Sequence, residues 1–177
     1  MGQISRTKEI GIFIEIPKGD DQRRHLSHDK KQMLDLGPTK NVIPVNDGVM
    51  PIAYGFAIGT LQRDEASKNP DEIPDEVDVL LYSKRNFRVS ETTTGTPIAF
   101  ITRADGDHKV VAVDSTTKAV RKWEDIPSAE RYLIVRYFGY KSPIEKIEGT
   151  REAIEYIEKN RVARAPVRLV KGRKGGD

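Results

Sequence analysis

The chain has 177 residues, enough for one domain with a real core; 32% of them are charged, the formal net charge is +3 and there is no cysteine. The missing cysteines exclude disulfides, thiolate metal sites and a cysteine nucleophile together, and the near-balanced charge does not mark the whole molecule as a nucleic-acid binder. No window approaches the roughly 18 to 20 apolar residues that a bilayer span needs, and the first residues form no apolar signal segment, so the expected location is cytoplasmic.

The first predicted element is the strand in "GIFIEIP". Ile12, Ile14 and Ile16 alternate with Phe13 and Glu15, and Pro17 ends the run, which puts Glu15 on the more polar face. The charged stretch "KGDDQRRHLSHDKKQ" has no clean period and reads as loop and irregular hairpin. Its His25 and His28 are not spaced as a metal set and read as solvent-exposed side chains. In "PIAYGFAIGTL", Gly55 and Gly59 mark bends or close backbone approach.

"QRDEASKNPDEIP" reads as an exposed insertion, and "EVDVLLY" as the strand after it. "GTPIAFITRA" and "HKVVAVD" are two more strands, joined by "DGD", whose glycine suits a tight turn. After "DIPS" the period becomes helical. Ser128 is expected to cap a helix with Tyr132, Val135 and Tyr137 on one side, ending near Gly139. Thr150 is expected to cap a second helix with Ile154 and Ile157 toward the core, and Trp123 to pack. Strands followed by late helices imply an α+β or barrel-plus-helix arrangement, not alternating βαβ units. Residues 1–162 are the expected domain and 163–177 a basic, flexible tail. Beyond Asn160, Arg161, Arg164, Arg168, Lys171, Arg173 and Lys174 face one acid, Asp177, so this end carries the positive excess.

Acids cluster twice, as Asp75 with Asp78 and as Asp105 with Asp107, the second pair followed by Lys109. Extended residues two apart share a face at about 6.8 Å, so Asp105, Asp107 and Lys109 can line one side. Asp75 and Asp78 have opposite parity. Pro74 suggests that Asp75 sits in the leading loop, from which it can turn back toward Asp78. Carboxylates that share a pocket raise one another's pKa unless a cation neutralises them; Mg²⁺ is the oxygen-preferring candidate, and Lys109 adds a place for an anion. Taken alone, each acid pair reads first as a solvated strand edge that discourages aggregation, and spacing by itself does not carry the metal reading.

Order along the chain adds what spacing lacks. "FIEIPKG", "MPIAYGF", "DEVDVLL", "TPIAFITRADGDHKVVAV" and "YFGYKS" occur in the sequence in which corresponding segments occur in the soluble family I inorganic pyrophosphatases, and the chain resembles that family over about residues 9 to 160. The resemblance implies a mainly β or α+β fold, an OB-like five-stranded β-barrel with flanking C-terminal helices. It implies a Mg²⁺-dependent diphosphatase, with Mn²⁺ as a substitute ion, that hydrolyses inorganic pyrophosphate to two phosphates. It also implies a homo-oligomer without membrane partners. Nucleic acid is not an expected partner, except through the basic tail.

Residue by residue, the resemblance puts Asp75 at the position of the general base, and Asp75, Asp78, Asp105 and Asp107 at metal-facing positions. It puts Glu15 behind the metals and substrate, and Arg24, Tyr54, Lys109, Tyr140 and Lys141 at phosphate-binding positions. The first Asp of the family signature is Ile73 here; Asp64, before an insertion of about nine residues, is the substitute ligand. Arg24 stands for a Lys, Leu26 for a Glu, Val42 for an Arg with Lys40 nearby, and Ala53 for an Asn, and the acidic loop is shorter by about three residues. If nothing replaces the lost groups, activity falls by orders of magnitude; the alternative is then a weak or silent relative that binds a phosphorylated ligand or a protein.

Overall fold

The computed structural model describes residues 9–62 and 74–162. Asp64, Ile73 and the basic tail after Val162 lie outside the described residues. The described residues form eight strands: β1 (Ile10–Ile16), β2 (Gln22–Leu26), β3 (Met33–Pro38), β4 (Ala53–Ala57), β5 (Asp78–Tyr82), β6 (Thr92–Arg103), β7 (Lys109–Val113) and β8 (Ile144–Glu148). Among the described residues two α-helices come late, α1 (Ser128–Phe138) and α2 (Thr150–Lys159).

Five of these strands close on themselves. The order runs β1, β4, β5, β7, β6, and β6 returns to β1, with every pair antiparallel except β5 with β7; β8 is added beside β6. The closed ring is the expected OB-like barrel, and closure removes the open edges that five separate strands would expose. The length of β6 makes the closure possible. Thr92–Gly95 pairs with β1 and the later residues pair with β7, with a register break between Pro97 and Ala99. Pro97 has no N–H to give the ladder, so the strand bends where a bond would be missing anyway.

Both faces of the central strands are covered, which explains the unbroken apolar runs "VLL" and "VVAV". One cluster fills the ring from β1, β4, β5, β6 and β7, with Ile12, Ile14, Val79, Leu81 and Val110 at its centre and Ala153 and Ile157 of α2 against it. On the outer face Leu80, Ile101 and Val111 pack under Ile134, Tyr137 and Phe138 of α1, together with the buried Trp123. Gly55 is the point of closest approach inside the ring: a Cβ there would collide with the Phe13 carbonyl oxygen across the β1–β4 pair.

The helix termini differ from the sequence reading. Ser128 and Thr150 are the first helical residues and not side-chain caps; Pro127 and Gly149 precede them. Thr150 Oγ1 donates instead to the Ile98 carbonyl at 3.4 Å, and Glu152 accepts the Gly149 N–H at 3.2 Å. Tyr132 is exposed; Tyr137 is buried as expected, and Ile134 and Phe138 are buried with it. Ile154 is half-buried, and α2 enters the core through Ala153 and Ile157. A small residue lets the helix approach the sheet closely, so the apolar weight of Ile154 is a poor guide to the docking face.

Candidate active site

Strand register assembles the centre of the site. In the parallel β5–β7 pair Asp78 lies opposite Lys109, so the first residue of each strand meets the other at the rim of the ring. Lys109 Nζ donates to Asp78 Oδ2 at 2.6 Å and to Asp107 Oδ2 at 3.0 Å, and it lies 5.5 Å from the centre of the Tyr54 ring. With Lys109 only 3% exposed, the ammonium is tolerated because two carboxylates meet it. Burial lowers its pKa, but Asp78 and Asp107 outweigh burial and hold it above the ordinary value.

The two carboxylates are not equivalent. Burial pushes Asp78 up to about 7, with Lys109 pulling it back and Asp107 pushing it further. Asp107 also feels burial, but Lys109, the hydrogen bond shared with Asp78 and the charge of Arg103 bring it below the ordinary value. One ammonium therefore serves two acids, and the more buried acid is left under-compensated. Such a pair favours additional positive charge. Burial and the charge of Asp78 hold the Tyr54 phenol protonated, as a donor facing the same space.

Arg103, the last residue of β6, was not singled out from the sequence, although it shares strand parity with Asp105. Its Nη1 lies 3.3 Å from Asp107 Oδ2 and donates to the Asp107 carbonyl at 3.3 Å; its Nη2 lies 3.5 Å from Asp105 Oδ2. Asp105 is further tied into its turn. Its N–H donates to Ser142 Oγ at 3.0 Å, and its Oδ1 accepts the Asp107 N–H at 3.0 Å around Gly106, whose φ is 80°.

Glu15 is fully buried, not on a polar face. The β1–β4 register slips between Ile14 and Ile16, so Glu15 occupies a bulge, and a bulge re-aims its side chain. It is caught there by β2: the Leu26 N–H donates to Glu15 Oε2 at 2.7 Å, and His25 Nδ1 lies 2.9 Å from the same oxygen. The hydrogen bond to Glu15 raises the His25 pKa, against burial and with help from Glu15, Asp75 and Glu76. His25 is therefore no bystander. Its Nε2 lies 3.7 Å from Asp75 Oδ1, and His28 Nδ1 lies 3.9 Å from the same atom.

Asp75 itself is 58% exposed, and its ion-pair partners are these imidazoles. The remaining expected residues divide. Arg24, paired with Asp20, lines the cavity together with Tyr54, Lys109, Lys141, Asp105 and Asp107; Arg23 and Arg103 join them, and the cavity holds about 400 Å³. Tyr140 is 53% exposed, and neither it nor Asp75 is among the lining residues. Val42 and Ile43 form an apolar patch of the wall.

The donor set suits a hard divalent ion in part. Asp78 and Asp107 provide carboxylate oxygens in a spot short of positive charge, but among the described residues no group of three or more acids or histidines is gathered for a metal. An ion there would be held by this pair, which on its own falls short of a full set of oxygen ligands.

Comparisons with known proteins bear on the family and the fold. The sequence matches the inorganic pyrophosphatase family over residues 12–170. Among solved structures, the chain is similar to the inorganic pyrophosphatase from Ehrlichia chaffeensis, with 19% identity and a TM-score of 0.73 over 90% of this chain and 96% of that one. It is likewise similar to the enzyme from Helicobacter pylori, at 19% identity and TM-score 0.71 over 90% and 95% of the two chains. For the Thermus thermophilus enzyme the values are 17% and 0.68 over 89% and 91%. No curated protein matches at a significant level.

Proposed function

Because the chain belongs to the inorganic pyrophosphatase family, a family of metal-dependent hydrolases, we propose a residue-level account of how its cavity hydrolyses inorganic diphosphate to two phosphates. Lys109, Tyr54 and Lys141 hold phosphoryl oxygens. The supporting observation is that Lys109 and Tyr54 already stand against one another at the rim while Lys141 lines the same cavity. Asp78 and Asp107 hold the divalent ion, for which Mg²⁺ is the proposed identity and Mn²⁺ the substitute; when bound, the ion supplies positive charge that acidifies water and neutralises the phosphates. Asp105 backs this pair through Arg103.

Asp75 accepts the proton of the attacking water. The water oxygen bonds to one phosphorus, the bridging P–O bond breaks, and the second phosphate leaves with the bridging oxygen. His25, braced by Glu15, and His28 position Asp75 from the hairpin side. Arg103 offers a guanidinium to the cavity whose wall is apolar at Val42, the position of the family's Arg. Homo-oligomerisation, which the family resemblance implies, is part of the same proposal and is read by sedimentation.

The observation that carries this account is the shared ammonium: Lys109 bridges Asp78 and Asp107, and Lys109 and Asp107 line an anion-sized cavity. Phosphate release from diphosphate with millimolar Mg²⁺ or Mn²⁺ tests it. Turnover is expected, with kcat reduced about 100-fold in Asp75→Asn. A folded protein that releases no phosphate with either ion, and an Asp75→Asn variant that changes nothing, would sink it.

A further inference from the structure

Among the described residues three buried side-chain polar atoms make no hydrogen bond: Arg103 Nε, Thr39 Oγ1 and the Tyr137 hydroxyl. All three residues line the one cavity, and they are only 7%, 2% and 1% exposed. A buried donor without an acceptor is costly, so three at one cavity point to acceptors that arrive with a ligand. Arg103 belongs to the carboxylate end already described. Thr39 and Tyr137 define a second end. The Tyr137 ring packs edge-on to Phe138 at 4.9 Å, Phe138 stacks on Tyr54 at 6.1 Å, and Lys109 stands 5.5 Å from Tyr54. Two rings therefore separate Tyr137 from the shared ammonium.

Arg23 is the charge at this second end. It lines the cavity; burial pushes the Tyr137 phenol up to about 12, against the charge of Arg23 and the Thr39 hydroxyl that faces it, so the Tyr137 hydroxyl remains a donor. Among the described residues no carboxylate pairs with Arg23. Thr39 is fixed by its own N–H, which donates to the Asp21 carbonyl at 2.8 Å. Two hydroxyls and a guanidinium, with Asp105 and Asp107 confined to the other end, make a set of donors suited to phosphoryl oxygens.

We propose that Arg23, Thr39 and Tyr137 form a subsite for a third phosphoryl group, so that the enzyme also takes a linear triphosphate chain lying along the cavity. The proposal rests on the diphosphatase reading of the carboxylate end. There, the water oxygen bonds to the terminal phosphorus, the bridging P–O bond breaks, the bridging oxygen leaves on diphosphate, and the water proton passes to Asp75. One phosphate and one diphosphate result from one triphosphate and one water.

The test compares kcat/KM for tripolyphosphate, ATP and diphosphate in the wild type and in Arg23→Met, Thr39→Val and Tyr137→Phe, with circular dichroism as the check on folding. The ratio of tripolyphosphate to diphosphate kcat/KM is expected to fall about tenfold or more in Arg23→Met and Tyr137→Phe. A matching fall with ATP supports a subsite open to nucleotides; a fall with tripolyphosphate alone supports one for the free inorganic chain. An unchanged ratio for both, as ordered water at that end would give, overturns the proposal, and so does an equal loss on diphosphate. If the wild type hydrolyses no diphosphate, the diphosphatase reading fails separately. Calorimetric titration of tripolyphosphate in EDTA then decides the subsite: weaker binding in the variants supports it, and equal binding overturns it.

Discussion

Two acid–base clusters stand near the cavity, and the chain holds them by different means. Asp78 and Lys109 are partners in a parallel strand pair, at 2.6 Å, with Asp107 at 3.0 Å on the same ammonium. Asp75 lies outside any strand, faces His25 and His28 at 3.7 and 3.9 Å, and is largely exposed. Asp78 and Lys109 cannot move without unpairing the ring, so this pair is pre-organised and its charges are part of the fold. The second cluster holds its carboxylate in the open, outside the barrel ladder, so its charges serve the reaction more than the stability. The difference separates residues whose loss unfolds the protein from residues whose loss only slows it.

The largest effect is expected for Lys109→Met. Asp78 and Asp107 are left without their ammonium, and breaking a buried pair costs about 3–5 kcal/mol. Urea unfolding should report that loss, together with a fall in kcat/KM of about 1000-fold. Unchanged stability would break the distinction between the clusters. Asp75→Asn sharpens it from the other side: the slowing should come with unfolding free energy within about 0.5 kcal/mol of wild type.

Third in size is the response to metal. Asp78, pushed up to about 7 by burial, must lose its proton to hold a cation. Its raised value stabilises the metal-free fold as pH falls from about 7 toward the unfolded carboxylate value, so Mg²⁺ should raise Tm more at pH 8 than at pH 6. An equal rise at both would place the ion away from Asp78. The smallest effect is expected at His25. Its raised folded pKa means that pairing with Glu15, Asp75 and Glu76 stabilises fully below about pH 6.5 and is lost as pH rises through the folded value. Thermal melts of metal-free His25→Gln should lose that part of the slope and keep the part due to Asp78.

Much of the ring was legible before the structure, because alternation marks strands whose inward residues fill one core, as Ile12 and Ile14 do; Ile16, past the bulge, joins the cluster under α1 instead. Closure was not legible, since the β1–β6 pairing joins distant segments through a break at Pro97 that periodicity does not encode. The hairpin of β2 and β3 was half-hidden because its strands are not buried on either face, so charge masks the period. At the site, parity found Asp105, Asp107 and Lys109, which share the cavity wall. It misplaced Glu15, because a bulge inverts parity at one residue. It passed over Arg103 and His25, whose partners come from other turns of the chain, and it suggested for Asp75 a turn toward Asp78 where the structure pairs it with imidazoles. Tyr140, expected to grip phosphate, stands outside the cavity.

The central claim is that the Asp78–Asp107 pair, bridged by Lys109, is where cation and diphosphate meet. A crystal grown with Mn²⁺ and imidodiphosphate tests it most directly, by anomalous scattering from the manganese. The account predicts a manganese peak in contact with Asp78 and Asp107, with a phosphoryl oxygen on Lys109. Manganese and diphosphate analogue bound elsewhere, with the Asp78–Lys109–Asp107 bridge undisturbed, would contradict it.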